Sequence, residues 1–234
     1  MSDLLVHPAP ESDGTILRVS PSSAGWRYVG FEVLELGQAR VAQRDTGDRE
    51  VCLVVGSGSV DVRYPGGHWP GLGGRPDPWS GPPDACYLPP GTRFELRGAA
   101  PGTEVALCWA PAPGGGASPR LLPGEKIEVE TRGYGAQERT IHPILMGDRA
   151  AYYRRISPAR GFGLQRVYSE DRSLDETLAF GDRDCVLVPR GYHTVSAPPG
   201  YDVYYLNVMA GPTRLWAVAN DPDHEWTLVP EEQP

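Results

Sequence analysis

Cys185–Pro212 reads CVLVPRGYHTVSAPPGYDVYYLNVMAGP. The apolar run Cys185–Val188 meets a Pro-Arg-Gly turn, and a second strand pattern begins directly after it. Pro189 fixes φ and offers no N–H, while Gly191 is free to take a positive φ, so the chain reverses there. That places His193 at the head of the next strand, beside a stiff turn. A further strand follows the turn Pro198-Pro199-Gly200. An imidazole so fixed is a good candidate ligand.

Working outward, the same unit occurs earlier as DACYLPPGTRFEL, Asp84–Leu96. Asp84, Pro89 and Gly91 stand to this copy as Asp184, Pro189 and Gly191 stand to the later one, which indicates an internally duplicated β unit. The earlier copy carries Arg93 where the later one carries His193, so only the second half offers an imidazole at this point. Between the copies, PAPGGGASP at 111–119 has no periodicity and reads as a linker. The expected organisation is an N-terminal half over 1–110, that linker, and a C-terminal half over 120–234.

The 29 glycines and 25 prolines punctuate regular apolar runs, so they read as turns between many short strands rather than as disorder. Period-two alternation marks Tyr28–Leu36 as a half-buried strand, and Glu50–Val55 is apolar enough for a central one. Val60–Tyr64, Glu104–Ala110, Lys126–Arg132, Ile141–Leu145, Tyr152–Ile156 and Gly161–Tyr168 complete the strand candidates. Residues 1–25 read as an arm with one short strand, and Pro65–Pro83 as a surface loop with His68 and Trp69 exposed. Asp171–Ala179 suits a short helix or a turn before a strand. Trp216 and Trp226 are expected to cover a barrel end or a subunit contact.

A net charge of −8 argues against nucleic acid or an anionic membrane as a partner, yet local arginines can still bind a small anion. Cys52, Cys86, Cys108 and Cys185 are widely spaced in apolar surroundings and read as buried reduced thiols. The N-terminus lacks a basic segment followed by an apolar one, and no run reaches membrane-spanning length. A cytoplasmic protein is expected.

Two strand-rich halves with Pro-x-Gly turns resemble two-domain cupins, tandem antiparallel barrels of the jelly-roll kind. More narrowly, SAGWRYVGFEV (Ser23–Val33), TGDREVCLV (Thr46–Val54), LQRVYSEDRSLDETL (Leu164–Leu178), Val186–Pro212 and NDPDHEW (Asn220–Trp226) look like the 5-deoxy-glucuronate isomerase family of bacterial myo-inositol catabolism. The resemblance implies an all-β bicupin that converts 5-deoxy-D-glucuronate to 5-dehydro-2-deoxy-D-gluconate. It also implies a zinc-like divalent metal held by an H-x-H pair, a glutamate and the histidine after the Pro-x-Gly turn, His193 here. A sugar acid is the implied partner, with a homo-oligomer possible.

The rest of that ligand set has no counterpart in this chain. No H-x-H occurs, the segment between Ile144-Leu145 and Tyr152-Tyr153 is only MGDRAA, and Ala150 stands where the glutamate is expected. The second barrel is therefore expected to be shortened by two strands. One imidazole does not make a catalytic zinc site, which needs three protein ligands around an open position. His142 and His224 read as a strand-end and a turn residue. Arg154, Gln165, Arg166 and Arg190, on or beside strands of the second half, are the candidate substrate-binding residues, and Arg154 and Arg166 are the two that could hold a carboxylate. No catalytic residue can be assigned from the pattern. A metal-free relative that binds a sugar acid or a partner remains the alternative, and a cupin dioxygenase would need iron or nickel ligands that are equally absent.

Overall fold

The computed structural model describes residues 2–135, 138–144, 150–211 and 219–228. The strands of the first half are β1 (Leu5–Val6), β2 (Thr15–Val19), β3 (Gly30–Leu36), β4 (Val41–Asp45), β5 (Arg49–Ser57), β6 (Ser59–Tyr64), β7 (Gly67–Gly73), β8 (Ala85–Leu88), β9 (Arg93–Gly98), β10 (Thr103–Pro111) and β11 (Arg120–Leu122). A small hairpin follows, β12 (Glu130–Arg132) and β13 (Arg139–Ile141). The second half holds β14 (Ala150–Ser157), β15 (Gly163–Tyr168), β16 (Asp175–Phe180), β17 (Cys185–Val188), β18 (Tyr192–Ser196) and β19 (Asp202–Met209). Every pairing is antiparallel.

The first half is two facing sheets, ordered β11-β8-β5-β10-β3-β2 and β4-β9-β6-β7. Their inner faces enclose one core that includes Leu34, Leu53, Val62, Phe94, Leu96, Leu107 and Trp109. The second half repeats the plan with β1-β17-β14-β19 facing β16-β15-β18, around Tyr152, Ile156, Val167, Leu178, Phe180 and Val186. A third core lies between the halves, where the outer face of the six-stranded sheet meets that of the β14 sheet and Phe31, Val33 and Val54 pack with Tyr153, Leu187 and Val208. Strand alternation explains the split: Tyr152 faces the second interior, and Tyr153 the neighbouring half. Ions also bridge the halves, with Glu104 of β10 meeting Arg155 of β14 and Arg183 at 3.2 Å each.

The duplication extends to register. The pairing of β5 with β10 and β8 is repeated by β14 with β19 and β17, and that of β6 with β7 and β9 by β15 with β16 and β18. The correspondence stops at two strands. In the first half β3 continues its sheet beyond β10, and β4 flanks β9. Among the described residues nothing takes either place in the second half, so β19 and β18 are both edges on the same side. The shortened second barrel read from the sequence thus takes a definite form, although residues 146–149 of the MGDRAA segment lie outside those described.

Several local expectations are corrected. The arm over 1–25 holds two strands: β2 joins the first half, while β1 crosses to β17 of the second, Leu5 opposite Val186. The strand expected at Tyr28–Leu36 is buried on both faces rather than one, because the second half covers its outer side. Val41–Asp45, unassigned in the sequence, is an edge strand. Within Pro65–Pro83, β7 forms despite its glycines because it pairs with β6, and Trp69 is half-buried against Tyr64, ring centroids 4.6 Å apart. The strand expected over Lys126–Arg132 shrinks to Glu130–Arg132 after a 3-10 turn at Gly124–Lys126. At Asp171–Ala179 a turn leads into β16. Trp226 is exposed in a 3-10 helix, Pro222–Leu228, and Trp216 lies outside the described residues.

The two Pro-x-Gly turns differ in how tightly they are held. Gly191 has φ +84° and a Cβ there would stand 2.2 Å from the Tyr168 carbonyl oxygen, whereas Gly91, φ +74°, has nothing within 4 Å. Replacing Gly91 with alanine adds only the left-handed backbone penalty, about 1–2 kcal/mol. Gly191→Ala must also displace the backbone of β15, so a loss of at least about 3 kcal/mol is expected. Urea denaturation of the two variants side by side checks the difference.

Candidate active site in the second half

Inward-facing positions of four strands converge on the side where, among the described residues, no further strand follows. β14 contributes Tyr152 and Arg154, β15 Gln165, β18 His193, and β19 Tyr205 and Asn207. His193 sits opposite Val167 in the β15–β18 ladder, directly after the Gly191 turn. Its Nε2 is 2.6 Å from the Tyr152 hydroxyl, and the Asn207 amide donates to that hydroxyl at 3.2 Å. Burial holds the Tyr152 phenol protonated, raising its pKa. Its O–H therefore donates to Nε2, which leaves Nδ1–H to face the Gly191 carbonyl at 3.4 Å. The proton donated by Tyr152 favours the neutral ring. Protein packed about the ring, with a smaller contribution from the Arg154 charge, pushes its pKa below the usual value against the opposing Gly191 contact.

Beneath Tyr152 lies Arg154, fully buried, with its guanidinium carbon 4.7 Å from the Tyr152 ring centre, 4.9 Å from Tyr205 and 5.0 Å from Phe180. Nη2 donates to Oε1 of Gln165, itself fully buried. Nε and Nη1 of Arg154 and Nε2 of Gln165 have no partner. Burial lowers the Arg154 pKa to about 10, so it remains a cation at neutral pH.

Of the residues singled out in the sequence, the fold brings Arg154 and Gln165 into the interior of the second half and sets His193 at its open rim. Arg166 is on the outer face of β15, paired with Asp175 at 2.8 and 2.7 Å. Arg190 is exposed in the turn and donates to Ser173 at 2.7 Å. Asn207 and Tyr205 were missed, although alternation from Val203 places both in phase with the interior. The other histidines lie elsewhere: His7 is against Asp184 at 2.8 Å, His68 is exposed on β7, His142 follows β13, and His224 is in the terminal 3-10 helix.

The donor chemistry does not fit a divalent metal. Among the described residues no three His, Cys, Asp or Glu side chains converge. His193 spends Nε2 on Tyr152, and its other neighbours are amides, phenols and a cation that would repel a second one. What these groups can do is hold a proton between Tyr152 Oη and His193 Nε2. A pH dependence follows from the depressed His193 pKa. Protonation is harder in the folded state, so stability is intact above the unfolded value near 6.5 and is lost as pH falls through the folded one. Comparing urea midpoints at pH 7.5 and 5.5 for the wild type and His193→Gln checks this. The variant is expected to lose less on acidification, the remainder coming from groups such as His142, also lowered by burial.

A doubled antiparallel barrel with an interior histidine after the Pro-x-Gly turn defines a bicupin, and solved structures share the fold. Oxalate decarboxylase matches at TM-score 0.60 and 12% identity over 93% of this chain and 79% of its own. An IolB-like protein from Salmonella typhimurium matches at TM-score 0.91 and 35% identity, over 97% and 99%. Relatives named 5-deoxy-glucuronate isomerase from Geobacillus thermodenitrificans and Geobacillus kaustophilus are each 40% identical, over 94% and 97% of this chain and 93% and 96% of their own length. The KduI/IolB family model matches residues 4–151 and 148–227. The chain belongs to the KduI/IolB family. The family match divides at the head of β14. The alignment with the G. thermodenitrificans relative spans 259 positions but uses 94% of 234 residues, about 220, so about forty positions have no counterpart here.

Proposed function

We propose that the chain is a sugar-acid isomerase acting on 5-deoxy-glucuronate. The observation that carries this reading is the 40% identity, over nearly the full length of both chains, to relatives bearing that name. In an aldose–ketose isomerisation a proton leaves the hydroxyl-bearing carbon and returns to the former carbonyl carbon, through an enediol. As substrate displaces the contact between Tyr152 and His193, the neutral imidazole takes the carbon-bound proton at Nε2 and delivers it to the former carbonyl carbon. Tyr152, held by Asn207, gives its hydroxyl proton to the carbonyl oxygen and recovers one from the neighbouring substrate hydroxyl as that oxygen becomes the ketone. The family resemblance implies a zinc-like cofactor, but no step is assigned to a metal because the donor set does not fit one.

The test is incubation of the purified protein with 5-deoxy-glucuronate in D2O, followed by NMR. Loss of the aldehyde signal with deuterium entering the ketose product is expected; an unchanged substrate contradicts the reading. The missing strands favour a second reading, a relative that binds sugar acids without turning them over. Binding without deuterium exchange would establish it.

A further inference from the structure

We infer that Arg154 and Gln165 form an anion-binding floor in the second barrel that accepts the carboxylate of a sugar acid. The inference rests on the sugar-acid reading above and names the groups that would recognise the acid. A guanidinium withdrawn from water is normally matched by a carboxylate, because an unpaired buried charge is strongly disfavoured. Among the described residues Arg154 has no acidic partner: its side-chain contacts there are Gln165 and three aromatic rings. Ring faces attract a cation but satisfy none of its N–H groups.

Three unpaired donors therefore belong to two adjoining side chains, Nε and Nη1 of Arg154 and Nε2 of Gln165. A carboxylate is the ligand whose two oxygens suit such donors, a planar fork supplemented by an amide N–H. The surrounding ion pairs show that this arginine differs from its neighbours. Arg155, next in sequence, meets Asp182 and Glu104, and Arg166 meets Asp175.

The donors are closed over in the free protein, and Tyr205 is the side chain that can uncover them. Its ring covers the guanidinium, lies 5.6 Å from Tyr152 and is only half-buried, on a strand whose outer edge has no neighbour among the described residues. Swinging Tyr205 outward exposes Arg154 on the side where His193 and Asn207 already meet solvent. A sugar acid entering there would place its carboxylate on the floor and the remainder of its chain toward His193.

The test uses D-gluconate, which has a carboxylate but no carbonyl to isomerise, and sorbitol, its neutral counterpart. Titration calorimetry and melting curves are run at low chloride on the wild type, Arg154→Met and Gln165→Leu. Gluconate is expected to bind and raise the melting temperature of the wild type, and sorbitol to do neither. Arg154→Met should weaken gluconate at least about tenfold, with an unchanged or higher melting temperature because a buried unpaired charge has gone; Gln165→Leu should weaken it less. No gluconate binding to the wild type, or equal binding to Arg154→Met, overturns the inference. So does a fall in melting temperature of Arg154→Met with gluconate affinity intact, which would make the arginine a packing element. Arginine-dependent gluconate binding without turnover of 5-deoxy-glucuronate upholds the floor while ending the isomerase reading.

Discussion

Replacing His193 with alanine is expected to reduce 5-deoxy-glucuronate turnover by about two to four orders of magnitude, the usual contribution of a positioned general base. Stability should change little at pH 7.5, because the ring is partly open to solvent and makes one strong side-chain contact, to Tyr152. Tyr152→Phe removes the donated proton but keeps the ring that stacks over Arg154. It should lower kcat with a smaller effect on KM, since its hydroxyl acts on charge that develops during the reaction. Steady-state kinetics of both variants, with melting curves as the control, check the pair. A drop confined to KM would move His193 from proton transfer to binding.

Replacing Glu104 with alanine is expected to cost the fold about 3 kcal/mol or more. The Glu104 side chain is 4% exposed and balances Arg155 and Arg183, which approach from the other half. Removing it leaves two guanidinium groups at a largely dry interface. Arg155 keeps Asp182 at 2.9 Å and Arg183 keeps Glu35 at 2.8 Å, which limits the loss. Arg166→Ala is the contrast. Its bidentate pair with Asp175 is solvent-screened and, like most surface pairs, is expected to contribute at most about 1 kcal/mol. Urea titrations of both variants with the slope held under watch decide this: a reduced slope for Glu104→Ala would mean that the halves unfold separately.

Much of this architecture was legible in the chain, for reasons that can be assigned to particular residues. The Pro-x-Gly turns revealed the duplication because Gly91 and Gly191 need positive φ, a requirement visible without coordinates. Alternation placed Arg154 and Gln165 on candidate inward strands but did not say which face was inward. Arg166, one residue on from Gln165, falls on the opposite face for that reason. β7 was hidden because its glycines and Pro70 have no strand propensity of their own, and pairing with β6 supplies what composition lacks. The crossing of β1 to the second half was also invisible, since two residues carry no periodicity. The absence of H-x-H pointed to lost strands, and the pairing of β3 and β4 in the intact half identifies which ones they are.

Those missing strands leave the proposed chemistry to protein groups, chiefly His193 and Tyr152. The most direct measurement is conversion of 5-deoxy-glucuronate after exhaustive chelation, with residual metal quantified by mass spectrometry. The predicted result is conversion that continues in metal-depleted protein and disappears in His193→Ala. Conversion that stops on chelation and returns with stoichiometric zinc, or no conversion even by metal-replete wild-type protein, would contradict it.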